Sequence, residues 1–140
     1  MQLRHTGVWR RIVVPGHAAF VDLHEMLQAA MGWENAHLYA FRQGRRLIAV
    51  DEAYEPLEGE TPPVADDVGV AEHLHQKGAR CEYEYDFGDG WVLDLVVEAL
   101  VDAPEDGRWI LDGALAGPPE DCGGGPGYER LCAAFAAGGA

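Results

Sequence analysis

The stretch from Arg80 to Trp91 constrains this chain more than any other. Cys81, Tyr83, Tyr85 and Phe87 alternate with Glu82, Glu84 and Asp86. A strict period of two puts one aromatic face and one acidic face on a strand. Gly88-Asp89-Gly90 follows, and then an apolar run from Trp91 to Val101. Asp-Gly between two such runs marks a β-hairpin. Its aromatic face needs a covering layer, and one segment offers it. Phe20, Leu23, Leu27 and Ala30, widened by Met26 and Met31, recur at helical spacing from Ala18 to Met31, and Gly32 stops the run.

Further strands are expected at Val8–Val14, where Trp9, Arg11 and Val13 oppose Val8, Arg10, Ile12 and Val14, and across the Gln43-Gly44 turn at His37–Phe41 and Arg46–Val50. A short strand at Arg108–Leu111 and a last helix at Pro126–Ala137, anchored by Tyr128, Leu131 and Phe135, complete the pattern. Val68–His75 reads as one or two helical turns. The stretch 51–67, acidic and with three prolines, reads as a solvated loop inside one domain. The expectation is a single α+β domain over residues 1–140. Its largely antiparallel sheet would carry the main helix, about 18–31, and the short C-terminal helix.

Charge narrows the function. The net charge is −14, and residues 1–50 hold six arginines against three acids while residues 51–140 hold four bases against 21 acids. Such a chain lacks the basic footprint of direct nucleic-acid binding. A basic protein partner, or a decoy role toward a nucleic-acid-binding protein, suits it better. No apolar run is long enough to span a bilayer, so no membrane association is expected. Three cysteines (Cys81, Cys122 and Cys132) without paired spacing, and no secretory segment, suit the cytoplasm.

Three motifs in order, "WRRIVVP" with "LHEMLQAAMGW", "YDFGDGW", and "GPPEDCGG" with "GYE", resemble the plasmid pRiA4b ORF-3-like family, whose members are also described as insertion-sequence passenger proteins. The resemblance runs over roughly Met1 to Leu131 and implies a compact α+β domain without a fixed general activity. Members often carry a cysteine where Gly117 stands and another where Trp109 stands, and they continue further past Ala137. The chain contains no serine, so a serine-recombinase reading has no nucleophile.

Candidate site residues cluster in these motifs. His37 opens a strand and, facing a cleft with Tyr39, Tyr85 and a carboxylate, would be the best general base. Asp86 and Glu120 are the candidate acid–base carboxylates beside it. Tyr39, Tyr85, Asp89, Trp91, Asp121 and Arg10 are candidate ligand contacts. Arg10 could instead pair structurally with the carboxylates of the Pro118–Gly124 loop. Asp86, Asp89, Glu120 and Asp121 could converge on a proton or on a hard cation such as calcium or magnesium. Each motif also has a purely structural reading, as hairpin turn or buried crossover.

His73-Leu74-His75 lacks a third ligand at zinc spacing. Cys122 follows two acids, which disfavours a reactive thiolate. No phosphate loop, dinucleotide fingerprint or nucleophile elbow is present, so neither cofactor nor resident metal is expected. The leading expectation is a soluble binding or accessory domain whose aromatic, carboxylate-lined pocket takes a small molecule. The alternatives are a cofactor-independent isomerase or cyclase and the acidic decoy.

Overall fold

The computed structural model describes residues 1–124 and residue 127. Seven strands form one antiparallel sheet: β1 (Gln2–Leu3), β2 (Trp9–Ile12), β3 (Tyr39–Gln43), β4 (Arg46–Val50), β5 (Arg80–Tyr85), β6 (Trp91–Val96) and β7 (Ile110–Ala114), in the order β4-β3-β5-β6-β1-β2-β7. One helix, α1 (Phe20–Met31), covers a face of it, and two 3-10 turns, Ala65–Asp67 and Val70–Glu72, lie between β4 and β5. The fold is α+β, mainly sheet. The expected C-terminal helix at Pro126–Ala137 lies outside the described residues.

The hairpin forms as its alternation requires. Tyr85 pairs with Trp91, Tyr83 with Leu93 and Cys81 with Leu95. Across β3 the same rows continue, with Tyr39 opposite Tyr85 and Phe41 opposite Tyr83. Leu3 extends the Leu93 row onto β1. These residues are all buried and meet Phe20, Leu23 and Leu27 of α1 in one core. Phe41 lies 4.8 Å from Phe20 and 4.9 Å from Tyr83, ring centre to ring centre, in the tilted geometry aromatic quadrupoles favour. The other face carries charge. Arg4 binds Asp94 at 2.6 Å and reaches Glu82 at 3.4 Å, while Arg11 binds Glu98 at 2.7 Å.

Three local expectations change. Phe87 is exposed rather than in the aromatic face, because Asp86 takes a left-handed backbone (φ 59°) that ends the alternation at Tyr85. The return strand ends at Val96, where Val97 turns its amide to the Ala79 carbonyl. The acidic stretch 51–67 is partly tied down, since Val50 bonds the Pro63 carbonyl and Ala65 is fully buried.

Helix α1 starts where the Asp22 carboxylate accepts the Ala19 amide at 2.9 Å and stops at Gly32, whose φ is 73°. Its buried face includes two polar residues within the apolar stripe, His24 and Gln28. The Gln28 amide donates to the Tyr83 hydroxyl oxygen at 2.9 Å, so that hydroxyl is free to donate to His24 Nδ1, 2.7 Å away. His24 Nε2 then donates to Asn35 Oδ1 at 2.7 Å, and the Asn35 amide donates to Gln28 Oε1 at 2.8 Å. Every buried group in this network has a partner, as burial demands. Burial pushes the His24 imidazole below its usual range despite the Asn35 hydrogen bond, which keeps it neutral in this tautomer. The network ties the helix to the sheet and fixes the turn that leads to His37.

Candidate functional site

Three segments far apart in sequence meet beyond the C-terminal end of α1: the turn Trp33–His37, the hairpin turn Asp86–Gly90 and the loop Gly117–Gly124. Close backbone approach seats the loop. A Cβ at Gly117 would overlap the Met31 carbonyl oxygen, and one at Gly124 would overlap the Asp89 carbonyl oxygen. The cysteine that the family resemblance expects at 117 therefore does not fit this backbone path. Trp33 Nε1 donates to the Pro118 carbonyl at 2.9 Å, and the Trp33 ring stacks on Tyr85 at 4.9 Å.

Glu120 closes the junction. Its Oε1 accepts the Glu34 amide at 2.9 Å and also the Tyr85 hydroxyl, which in turn accepts the Ala36 amide at 2.9 Å. Burial and the Glu120 carboxylate hold the Tyr85 hydroxyl above its usual range, so it stays protonated and donates. Asp89 performs a similar task, accepting the Gly123 amide through Oδ2 at 3.3 Å. Each of these carboxylates gives one oxygen to building the site.

Asp86 and Asp121 each also direct an oxygen at His37. Asp86 Oδ1 accepts the Gly88 and Asp89 amides at 3.1 and 3.2 Å, an Asx turn. Its Oδ2 receives no hydrogen bond among the described residues and faces His37 Nε2 at 3.5 Å. Asp121 Oδ1 lies 2.8 Å from the same nitrogen. The Asp86 side chain is 10% exposed, His37 31% and Asp121 69%, so the group grades from interior to solvent. His37 Nε2 itself is sealed from solvent and has no acceptor aligned with it, despite the short approach of Asp121. Among the described residues, His37, Asp86 and Asp121 are the one group whose ligating atoms all lie within 4.8 Å of one another.

The other candidates lie elsewhere. Tyr39 is buried and stacks on His24 at 3.6 Å. Trp91 is buried in the same row as Tyr85, so the aromatic residues face the core instead of lining a cavity. Two surface depressions lie away from the junction, one between Arg10 and Ile110–Leu115 and one beside Gln43, Arg80 and Asp94. Arg10 pairs with no carboxylate among the described residues. Its guanidinium donates to the carbonyls of Trp9 at 2.8 Å, Ala114 at 3.1 Å and Ala30 at 3.3 Å, the last of them at the C-terminal end of α1, where a cation is favoured. His73 binds Gln43 at 3.1 Å and contributes to no metal-ligand group among the described residues. Cys81 is a core residue with its thiol pushed up to about 12 by burial. Cys122 is half-buried and Cys132 lies outside the described residues.

The sheet, the helix α1 that covers it and the crossed loops define a small α+β domain with a polar junction at the helix end. No helix among the described residues is long and apolar enough to cross a membrane. Residues 1–138 match the family described as Plasmid pRiA4b ORF-3-like protein, and the chain belongs to that family. It is 40% identical over 132 residues to the uncharacterised protein y4hQ of Sinorhizobium fredii, covering 92% of this chain and 66% of that protein. The chain thus spans about two thirds of that relative's length. Its fold is similar to the crystal structure of MM3350, a protein of unknown function from Methanosarcina mazei Go1, with a TM-score of 0.76 and 29% identity over 95% of this chain and 76% of that one.

Proposed function

We propose that this protein is a binding or accessory module that receives a cationic group at the junction of His37, Asp86 and Asp121. The observation that carries the reading is the division of labour among the carboxylates. Glu120 and Asp89 each give an oxygen to backbone or hydroxyl donors. Asp86 Oδ2 and Asp121 Oδ1 instead both approach His37 Nε2, at 3.5 and 2.8 Å. A net charge of −14 adds a long-range field that attracts cations to the surface. The ligand would be a small molecule with an ammonium or guanidinium group, or a basic segment of a protein partner, met in the cytoplasm.

The test is an NMR titration of the full chain with argininamide and a short basic peptide at physiological salt. Shifts should concentrate on residues 35–38, 86–90 and 120–124, and should be lost in Asp86→Asn, which keeps the Oδ1 acceptor and removes the charge. Shifts spread over residues 51–67, or unchanged in Asp86→Asn, would sink the reading.

One observation favours a second reading, an acid–base enzyme without a cofactor. Asp86, held by two amides, backs His37 as a carboxylate backs a general base. That reading requires turnover that disappears in His37→Gln while the fold persists.

A further inference from the structure

We infer that the junction is a divalent transition-metal site, with His37 Nε2, Asp86 Oδ2 and Asp121 Oδ1 as ligands. This rests on the reading of the junction as a cation-binding site and names the ion class.

The donor atoms are available. Asp86 uses Oδ1 for the Gly88 and Asp89 amides, which fixes the carboxylate and leaves Oδ2 directed at His37 Nε2. Hydrogen-bonded support of this kind orients metal ligands in general. The side chain is nine-tenths buried and Oδ2 has only the His37 nitrogen 3.5 Å away beside it, so a cation at that point would be favoured. His37 Nε2 is likewise sealed from solvent with no aligned partner.

The distances fit a coordination sphere. Metal–ligand bonds of about 2.0–2.2 Å put neighbouring donors about 3 Å apart at right angles and about 3.4 Å apart at the tetrahedral angle. His37 Nε2 stands 2.8 Å from Asp121 Oδ1 and 3.5 Å from Asp86 Oδ2. The three donors all lie within 4.8 Å of one another, so adjustments of about an ångström, mostly by the exposed Asp121, would complete the set.

The donor types select the ion. One imidazole nitrogen with two carboxylate oxygens suits zinc or manganese(II), whereas calcium takes six to eight oxygens and magnesium keeps mostly water and oxygen. Among the described residues three protein ligands are present, and Asp121 faces solvent, so the remaining positions would be open to water or to a ligand group. The ion would convert an acidic junction into one that also accepts an anion.

Untagged, chelator-treated protein titrated with Zn2+ alone by calorimetry should bind one ion per chain. Asp121→Asn and His37→Gln should each weaken binding at least about tenfold. Asp121 is exposed, so its variant should retain the wild-type circular dichroism. Cys122→Ala, one residue away, should leave the affinity unchanged. Mn2+ should broaden amide signals at 35–38, 86–90 and 120–124 first, and Ca2+ should not compete.

Zn2+ binding unaffected by Asp121→Asn, abolished by Cys122→Ala, or broadening centred on residues 51–67 would overturn the inference. So would the absence of Zn2+ binding. If metal binding fails while argininamide still maps to the junction, only the metal assignment falls. If both fail, the cation-binding reading falls with it.

Discussion

Replacing Tyr83 with Phe removes one oxygen from the middle of the buried network. In the native protein that hydroxyl accepts from Gln28 Nε2 at 2.9 Å and donates to His24 Nδ1 at 2.7 Å. Both partners are more than nine-tenths buried in the fold. The ring packing of Phe is the same, so the transfer contribution hardly changes. What changes is that two buried polar groups lose a partner at once. Each such orphan costs about 1–3 kcal/mol, so the loss should be about 2–6 kcal/mol. In urea, with a slope of roughly 2 kcal/mol per molar, the midpoint should fall by about 1–3 M.

Further substitution gives the control. Tyr83→Phe combined with His24→Leu and Gln28→Leu removes all the stranded polar groups except those facing Asn35, and should recover part of the loss. Tyr83→Phe costing less than about 0.5 kcal/mol would refute the network argument, as would a triple variant weaker than the sum of its parts.

Other outcomes follow from the same contacts. Burial depresses the folded-state His24 imidazole below its unfolded value of about 6.5, so the unfolded chain binds more protons between the two values. The contribution of neutral His24 is therefore complete above about pH 6.5 and is lost as the pH falls through the folded value; the stability difference between wild type and His24→Leu should shrink from pH 7 to pH 5, and a flat difference contradicts this. Gly117→Ala forces its Cβ into the Met31 carbonyl, so it should cost about 1–3 kcal/mol by thermal unfolding and move the amide signals of Trp33 and Glu120; an unchanged spectrum contradicts the seating of the loop. Arg4→Met breaks a pair that is about two-fifths exposed and should cost less than about 1 kcal/mol in the same assay. Cys81, buried with its thiol pushed up to about 12, should resist a disulfide reagent at pH 8 until the protein unfolds, which peptide mass spectrometry would show.

Local pattern revealed the secondary structure but not the sheet order. The β5–β6 hairpin and α1 were legible because each carries a one-sided apolar pattern several residues long. β1, at two residues, carries no periodicity, yet it joins β6 to β2 and so brings the chain's start to the middle of the sheet. His24 and Gln28 were hidden because two polar residues on an apolar stripe look like interruptions, and only their partners on β5 and the Asn35 turn explain them. A polar pair four residues apart inside a helix's buried face was the available signal.

The candidate site was legible in part. The motif residues His37, Asp86, Glu120 and Asp121 do converge. Which carboxylates build the site and which remain free depends on backbone amides that no side-chain pattern reports. Position beside His37 and at the hairpin turn makes Tyr39 and Trp91 look like ligand contacts, but strand register turns both into the helix-covered layer. Arg10 was read toward the acidic loop by charge alone, whereas the helix-end carbonyls lie nearer.

The most direct test of the central claim is the amide NMR map of the full chain as argininamide is added. The account predicts movement confined to the three crossing segments, 35–38, 86–90 and 120–124, with the response lost in Asp86→Asn. Movement centred on the acidic stretch 51–67 or on β7, with the junction silent, would contradict it.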